Sequence, residues 1–174
     1  FTIDFIKLDH GDSQAEQHGH AAYSYKITAP DGQSICVATD HEARPSPVND
    51  QLIKFARGCD LLIHDSHFNS NEYPTHRGWG HSTAEMALNN AAAIKPKTTI
   101  LTHHAPHRRD YELSQLERLL KQDQRFSHLD FHFAKEDLLL ANPFFGEETN
   151  YKGIRRVLIL RNFSLFYAIE ENSK

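Results

Sequence analysis

The stretch from Cys59 to Asp110 constrains the chain most, because it holds more than half of the 13 histidines and sets them beside two short apolar runs. Leu61-Leu62-Ile63 and Thr98-Thr99-Ile100-Leu101 are each bounded by turn-type residues, the pattern of interior strands, and Ser82 to Ile94 between them has helical spacing. Strand, helix, strand is the repeating unit of an α/β sheet. Sheets of that kind carry their chemistry at the carboxyl ends of the strands, where His64, Asp65, His103 and His104 fall.

The flanking segments extend the same pattern. Phe1 to Leu8 alternates at period two and reads as an edge strand, followed by a polar loop from Asp9 to Gln17. Ala21 to Thr28 and Ser34 to Ala38 read as two strands of a hairpin turned at Pro30-Asp31-Gly32. A loop from Asp40 to Pro47 leads into a short helix that starts at Asn49 or Asp50 and stops at Gly58. Asp110 caps a further helix with Leu113, Leu116 and Leu120 on one stripe. Leu129 to Phe133 and Leu138 to Ala141 read as short extended segments, Asn142 to Gly153 as a loop, and Val157–Leu160 with Leu165–Ile169 as a terminal hairpin. The fold class is α/β with a mixed sheet in one domain.

Composition narrows the function classes. With 174 residues and 39% apolar content the chain can bury a core without staples, and two cysteines in apolar surroundings are no disulfide framework, which suits a cytoplasmic setting. A formal net charge of −4 supplies no basic field, which argues against long nucleic acid as a partner. No apolar run approaches the roughly 20 residues of a membrane span. A strand that begins at the first residue, with no Met before it, suggests that more chain precedes it.

Chemistry-bearing residues concentrate in Gln17-His18-Gly19-His20, Ala38-Thr39-Asp40-His41-Glu42, Gly78 to Glu85 and Ile100 to Pro106. Imidazoles and a carboxylate at strand ends are what a metal hydrolase brings to a cation with one open position. His18, Asp40 and His103 form one such set, and His20, His41, His64 and His104 are alternatives that spacing alone does not exclude. Ser82-Thr83-Ala84-Glu85 reads as a capping box, which leaves His81 just ahead of a helix N-terminus.

HGHAAYSYKI, VATDHEARP, LLIHDSHF, GWGHSTAEMA and ILTHHAP, in that order, resemble the later motifs of the metallo-β-lactamase fold, specifically the phosphodiesterase branch that includes RNase Z and the cyclic-phosphate phosphodiesterases. The resemblance implies an αββα sandwich seen through its C-terminal half, with two divalent cations, zinc or manganese, in the complete protein. It implies metal ligands at His18, Asp40 and His103, with Asp40 bridging, and a proton donor or phosphate contact at His81. The reaction it implies is hydrolysis of a phosphodiester by a hydroxide held on metal. The family's earlier H-x-H-x-D-H motif is absent from the sequence, so the first half is expected on a preceding segment or a partner chain, and a homodimer is compatible with that. Between His18 and Asp40, where RNase Z proteins often insert an arm for tRNA, there is room only for a hairpin, which favours a small phosphodiester as substrate. A non-catalytic regulatory module, a thioester or lactone hydrolase, and an RNase Z-like nuclease are the competing readings.

Overall fold

The computed structural model describes residues 1–8, 10–11 and 21–135, together with the strands 147–148, 154–160 and 163–168. His18, His20 and the expected segment Leu138 to Ala141 lie outside the described residues. The chain divides into two compact units, Phe1–Ala134 and Lys135–Lys174.

In the first unit six strands lie in chain order: β1 (Thr2–Lys7), β2 (Tyr23–Thr28), β3 (Ser34–Ala38), β4 (Leu61–Asp65), β5 (Thr98–Thr102) and β6 (Phe131–Phe133). β1, β2 and β3 pair antiparallel, whereas β3 to β6 run parallel, so the sheet is mixed as the sequence predicts. Each parallel step is crossed by a helix: α1 (Pro47–Ala56), α3 (Ala84–Ile94) and α4 (Asp110–Gln122). A further single turn, α2 (Tyr73–His76), sits in the loop after β4. Alternation along the strands sends Cys36, Leu62 and Leu101 toward these helices, where they are fully buried with Leu52, Leu88, Ala91 and Ile94. A fully buried leucine contributes about 1.5–3 kcal/mol, so this face fixes the register of the parallel strands. Their carboxyl ends then fall together at one edge.

The helix starts differ from the sequence expectation. α1 begins at Pro47, two or three residues early, because Ser46 accepts a hydrogen bond from the Asn49 amide and proline occupies the first turn. α3 is capped by Thr83, whose side chain accepts from the Met86 amide, and the expected Ser82–Glu85 box does not form. Ser82 is buried and bridges to another loop instead, donating to the His41 carbonyl and accepting from the Ala43 amide. α4 has Arg109 and not the expected Asp110 at its cap, so that Asp110 is the first helical residue, and Glu112 reaches back to the Arg109 amide.

In the second unit β8 (Ile154–Leu160) and β9 (Phe163–Ala168) form the expected hairpin. β7 (Glu147–Glu148), inside the stretch expected to be loop, adds a short antiparallel strand to β8. Among the described residues no helix is long and apolar enough to cross a membrane.

Candidate metal-assisted hydrolase site

Two residues at the ends of parallel strands hold backbone conformations that side chains disfavour. Asp40, after β3, has φ 55° and His103, after β5, has φ 59°. Such strain persists where the surroundings over-determine it, and it gathers at functional sites. Here it turns the two side chains toward each other, with His103 Nε2 3.5 Å from Asp40 Oδ1. Both groups stay partly open to solvent.

Asp65, the last residue of β4, is the hub of the site. Its side chain is buried, and it accepts from the Asp40 amide (3.1 Å), the His67 amide (3.2 Å), the Ser82 amide (3.0 Å) and His81 Nδ1 (2.7 Å). One carboxylate therefore ties together the loops after β3 and β4 and the entry to α3. Burial alone would raise its carboxyl group, but the His81 hydrogen bond and charge, with the Ser82 amide, outweigh this and hold it below the usual carboxylate range. The His81 imidazole shows the reciprocal balance: burial would lower it, while the Asp65 hydrogen bond and charge raise it above the ordinary histidine value.

The rings of His67, His81 and His103 stack, with centroids 4.6 Å apart for His67–His81 and 4.9 Å for His81–His103. Two overlapping groups of donor atoms lie within 4.8 Å of one another, His67 with His81 and His103, and His10 with Asp40 and His81. In three of these rings Nδ1 is already committed to an oxygen: His81 donates to Asp65, His67 to the His103 carbonyl (2.9 Å) and His10 to the Gly80 carbonyl (3.1 Å). That commitment leaves each Nε2 as the free atom in the neutral ring. An imidazole that ligates a metal is oriented in this way by its second nitrogen, so the donor set fits divalent cations. Asp40, His81 and His103 are thus brought together as the sequence suggests. His10 and His67 join them without having been singled out, because a histidine in a polar loop and one two residues past a strand carry no spacing signal.

The competing histidines are accounted for by packing. His41 and His64 are wholly buried, and both belong to a closed polar network. His41 Nε2 donates to Asn49 Oδ1 (3.0 Å), Asn49 and Asn90 exchange hydrogen bonds, Asn90 donates to His64 Nε2 (3.1 Å), and His64 Nδ1 donates to the Asp65 carbonyl (2.9 Å). These side chains lock α1 and α3 to the sheet under the site. His104 leans on Ser66 and stacks on Phe133. Arg108 is largely buried and paired with Glu72, which pins the loop after β5 to that after β4.

Burial, with the His41 ring beside it, lowers the His64 imidazole to about 4. The unfolded chain, titrating near 6.5, binds the proton first, so this group's stabilisation is complete above pH 6.5 and is lost as pH falls toward 4. The loss amounts to about 3 kcal/mol at 1.36 kcal/mol per pKa unit. His64→Gln offers Asn90 an amide oxygen without a titrating ring. The fall in denaturation midpoint between pH 7 and 4.5 is expected to shrink in that variant, and an unchanged fall would show that His64 is not the sensor.

Residues 1–104 match the family described as the beta-lactamase superfamily domain. The chain belongs to that superfamily, and its fold is of the metallo-β-lactamase type. Among curated proteins it is 26% identical over 149 residues to the ribonuclease Z of Methanococcus aeolicus, covering 84% of this chain and 46% of that protein. It is 37% identical over 82 residues to the ribonuclease Z of Picrophilus torridus, covering 47% of this chain and 25% of that one. Among solved structures it resembles the metallo-β-lactamase fold protein YhfI of Bacillus subtilis (TM-score 0.54, 20% identity, 77% of this chain and 46% of that one). It also resembles the short form of human tRNase Z (TM-score 0.52, 21% identity, 76% and 40%). The chain spans less than half the length of these proteins.

Proposed function

We propose that the chain is the second half of a metal-dependent phosphodiesterase and supplies most of one wall of its catalytic site. The observation that carries this is the convergence of Asp40, His81 and His103 at the carboxyl ends of parallel strands, with His81 held by the buried Asp65. Asp40 and His103, with His18 of the first motif, would hold two divalent cations, zinc or manganese, which are both suited to mixed imidazole and carboxylate donors. The remaining ligands come from the H-x-H-x-D-H motif of a first half, on a preceding segment or a partner chain. When bound, the ions supply Lewis acidity and lower the pKa of water for attack on phosphorus. His81 gives its proton to the departing alkoxide from Nε2, and Asp65 holds the ring and steadies its charged form.

The substrate is a small phosphodiester. Two features support it: the acidic balance of the chain, and the hairpin of β2 and β3 that occupies the interval between the first motif and Asp40. A tRNA precursor is the second reading, favoured by the ribonuclease Z and tRNase Z names of the matched proteins. The complete protein, assayed with a cyclic or aryl phosphodiester and with a 3′-extended tRNA, is expected to turn over the small ester more efficiently. Efficient cleavage of the tRNA alone would reverse the order of the two readings.

A further inference from the structure

We infer that Trp79 is a stacking platform for the base of a nucleotide, set so that a phosphodiester carrying that base reaches His81; the link to turnover rests on the phosphodiesterase reading, the binding itself does not. Trp79 is the sole tryptophan of the sequence and is 61% exposed, an unusual position for a side chain with that much apolar area.

The backbone under it is fixed at unusual cost. Glu42 is wholly buried, and its carboxylate accepts from the Gly78 amide (2.9 Å), the Gly80 amide (3.1 Å) and the Tyr73 hydroxyl (2.7 Å). Burying a carboxylate is costly unless its hydrogen bonds are made. These bonds brace the two residues on either side of Trp79 and the helical turn that opens the same loop. Burial, reinforced by the Glu42 hydrogen bond, pushes the Tyr73 hydroxyl up to about 12, so it stays a donor at any physiological pH. Gly80 completes the brace, because it holds φ +87° and a Cβ there would lie 2.5 Å from the His10 carbonyl oxygen. The loop is thereby built rigid while the indole is left in water.

The neighbours of the indole define what it would take. Its ring meets His76 edge to face at 4.6 Å, His76 stacks on Phe68 at 4.8 Å, and Phe68 lies 6.1 Å from His81. A short aromatic row therefore runs from Trp79 to the reacting end of the site. Arg77, exposed on the same loop, adds positive charge. A ligand that is planar and aromatic at one end and anionic at the other matches this arrangement, and a nucleotide is such a ligand. Because the platform is already ordered, little is lost in ordering it on binding.

The test compares adenosine 5′-monophosphate with ribose 5-phosphate, which differ only in the base, by calorimetric titration of the complete protein. Wild type is expected to prefer the base-bearing ligand by about 5- to 150-fold, the range of a single base–aromatic stack. Trp79→Ala and Trp79→Leu are expected to abolish the preference, and Trp79→Phe to retain part of it. A preference that survives in the alanine or leucine variant, or is absent from wild type, overturns the inference. Phosphodiester turnover is measured on the same preparations. Turnover without a base preference refutes the platform and leaves the phosphodiesterase reading standing, whereas a base preference without turnover does the reverse.

Discussion

Asp40→Ala is expected to empty the site of metal and bring phosphodiester turnover down to background in one step. The carboxylate lies 3.5 Å from His103 Nε2, and its main chain is pulled into a left-handed conformation by the bond from its amide to Asp65. Loss of a hydrogen-bond partner behind a metal ligand costs roughly 10- to 100-fold in affinity, and loss of Asp40 as the proposed shared ligand should cost more. Asp40→Asn separates the two properties of the residue. Asparagine tolerates the left-handed backbone and keeps the side-chain shape, so the fold should be retained, while the charge that holds cations is gone. Elemental analysis of the purified variants reads the outcome. Full metal occupancy in Asp40→Ala would show that the carboxylate is a loop former and that the cations sit elsewhere.

His81→Ala should slow turnover by roughly 10²- to 10⁴-fold, the range for a positioned general acid, and leave metal content unchanged. The helix that follows should survive, because its cap is Thr83 and the bridge to the neighbouring loop belongs to Ser82. Asp65 is the positioning residue in this arrangement. Its hydrogen bond and charge keep the His81 imidazole raised above the ordinary histidine value and hence charged to higher pH. In Asp65→Asn the alkaline limb of the pH–rate profile, set by loss of the His81 proton, should move to lower pH, because the ring then loses the charge that favours its proton. A His81→Ala protein that has lost its metal would make His81 a ligand, in keeping with its place in both donor groups.

Much of this site could be read from the chain, and the parts that could not share a cause. Leu61 to Ile63 and Thr98 to Leu101 declare themselves as buried strands by continuous apolar character, and a strand end followed by Asp or His locates the chemistry. What sequence does not display is which polar groups meet across loops. Asp65 and His81 are far enough apart that nothing in either motif announces their 2.7 Å bond. Ser82 and Glu85 have the spacing of a capping box, but the buried Ser82 finds stronger partners in the loop after β3, and Thr83 takes the cap. His41 and His64 are as conspicuous in sequence as His81, yet two asparagines, on α1 and α3, satisfy them. The start of α1 was legible after all, since Ser46-Pro47 is a cap followed by a first-turn proline.

Leaving-group dependence separates the proton donated by one group from the ions held by another. Turnover of an alkyl phosphodiester and of its p-nitrophenyl counterpart is measured for the wild-type, His81→Ala and Asp40→Ala forms of the complete protein. A nitrophenolate departs without needing a proton, so the activated ester should recover much of the lost rate in His81→Ala and none in Asp40→Ala. Equal losses on both esters in His81→Ala would show that His81 is no proton donor, and rescue of Asp40→Ala by the activated ester would show that Asp40 does not hold the ions.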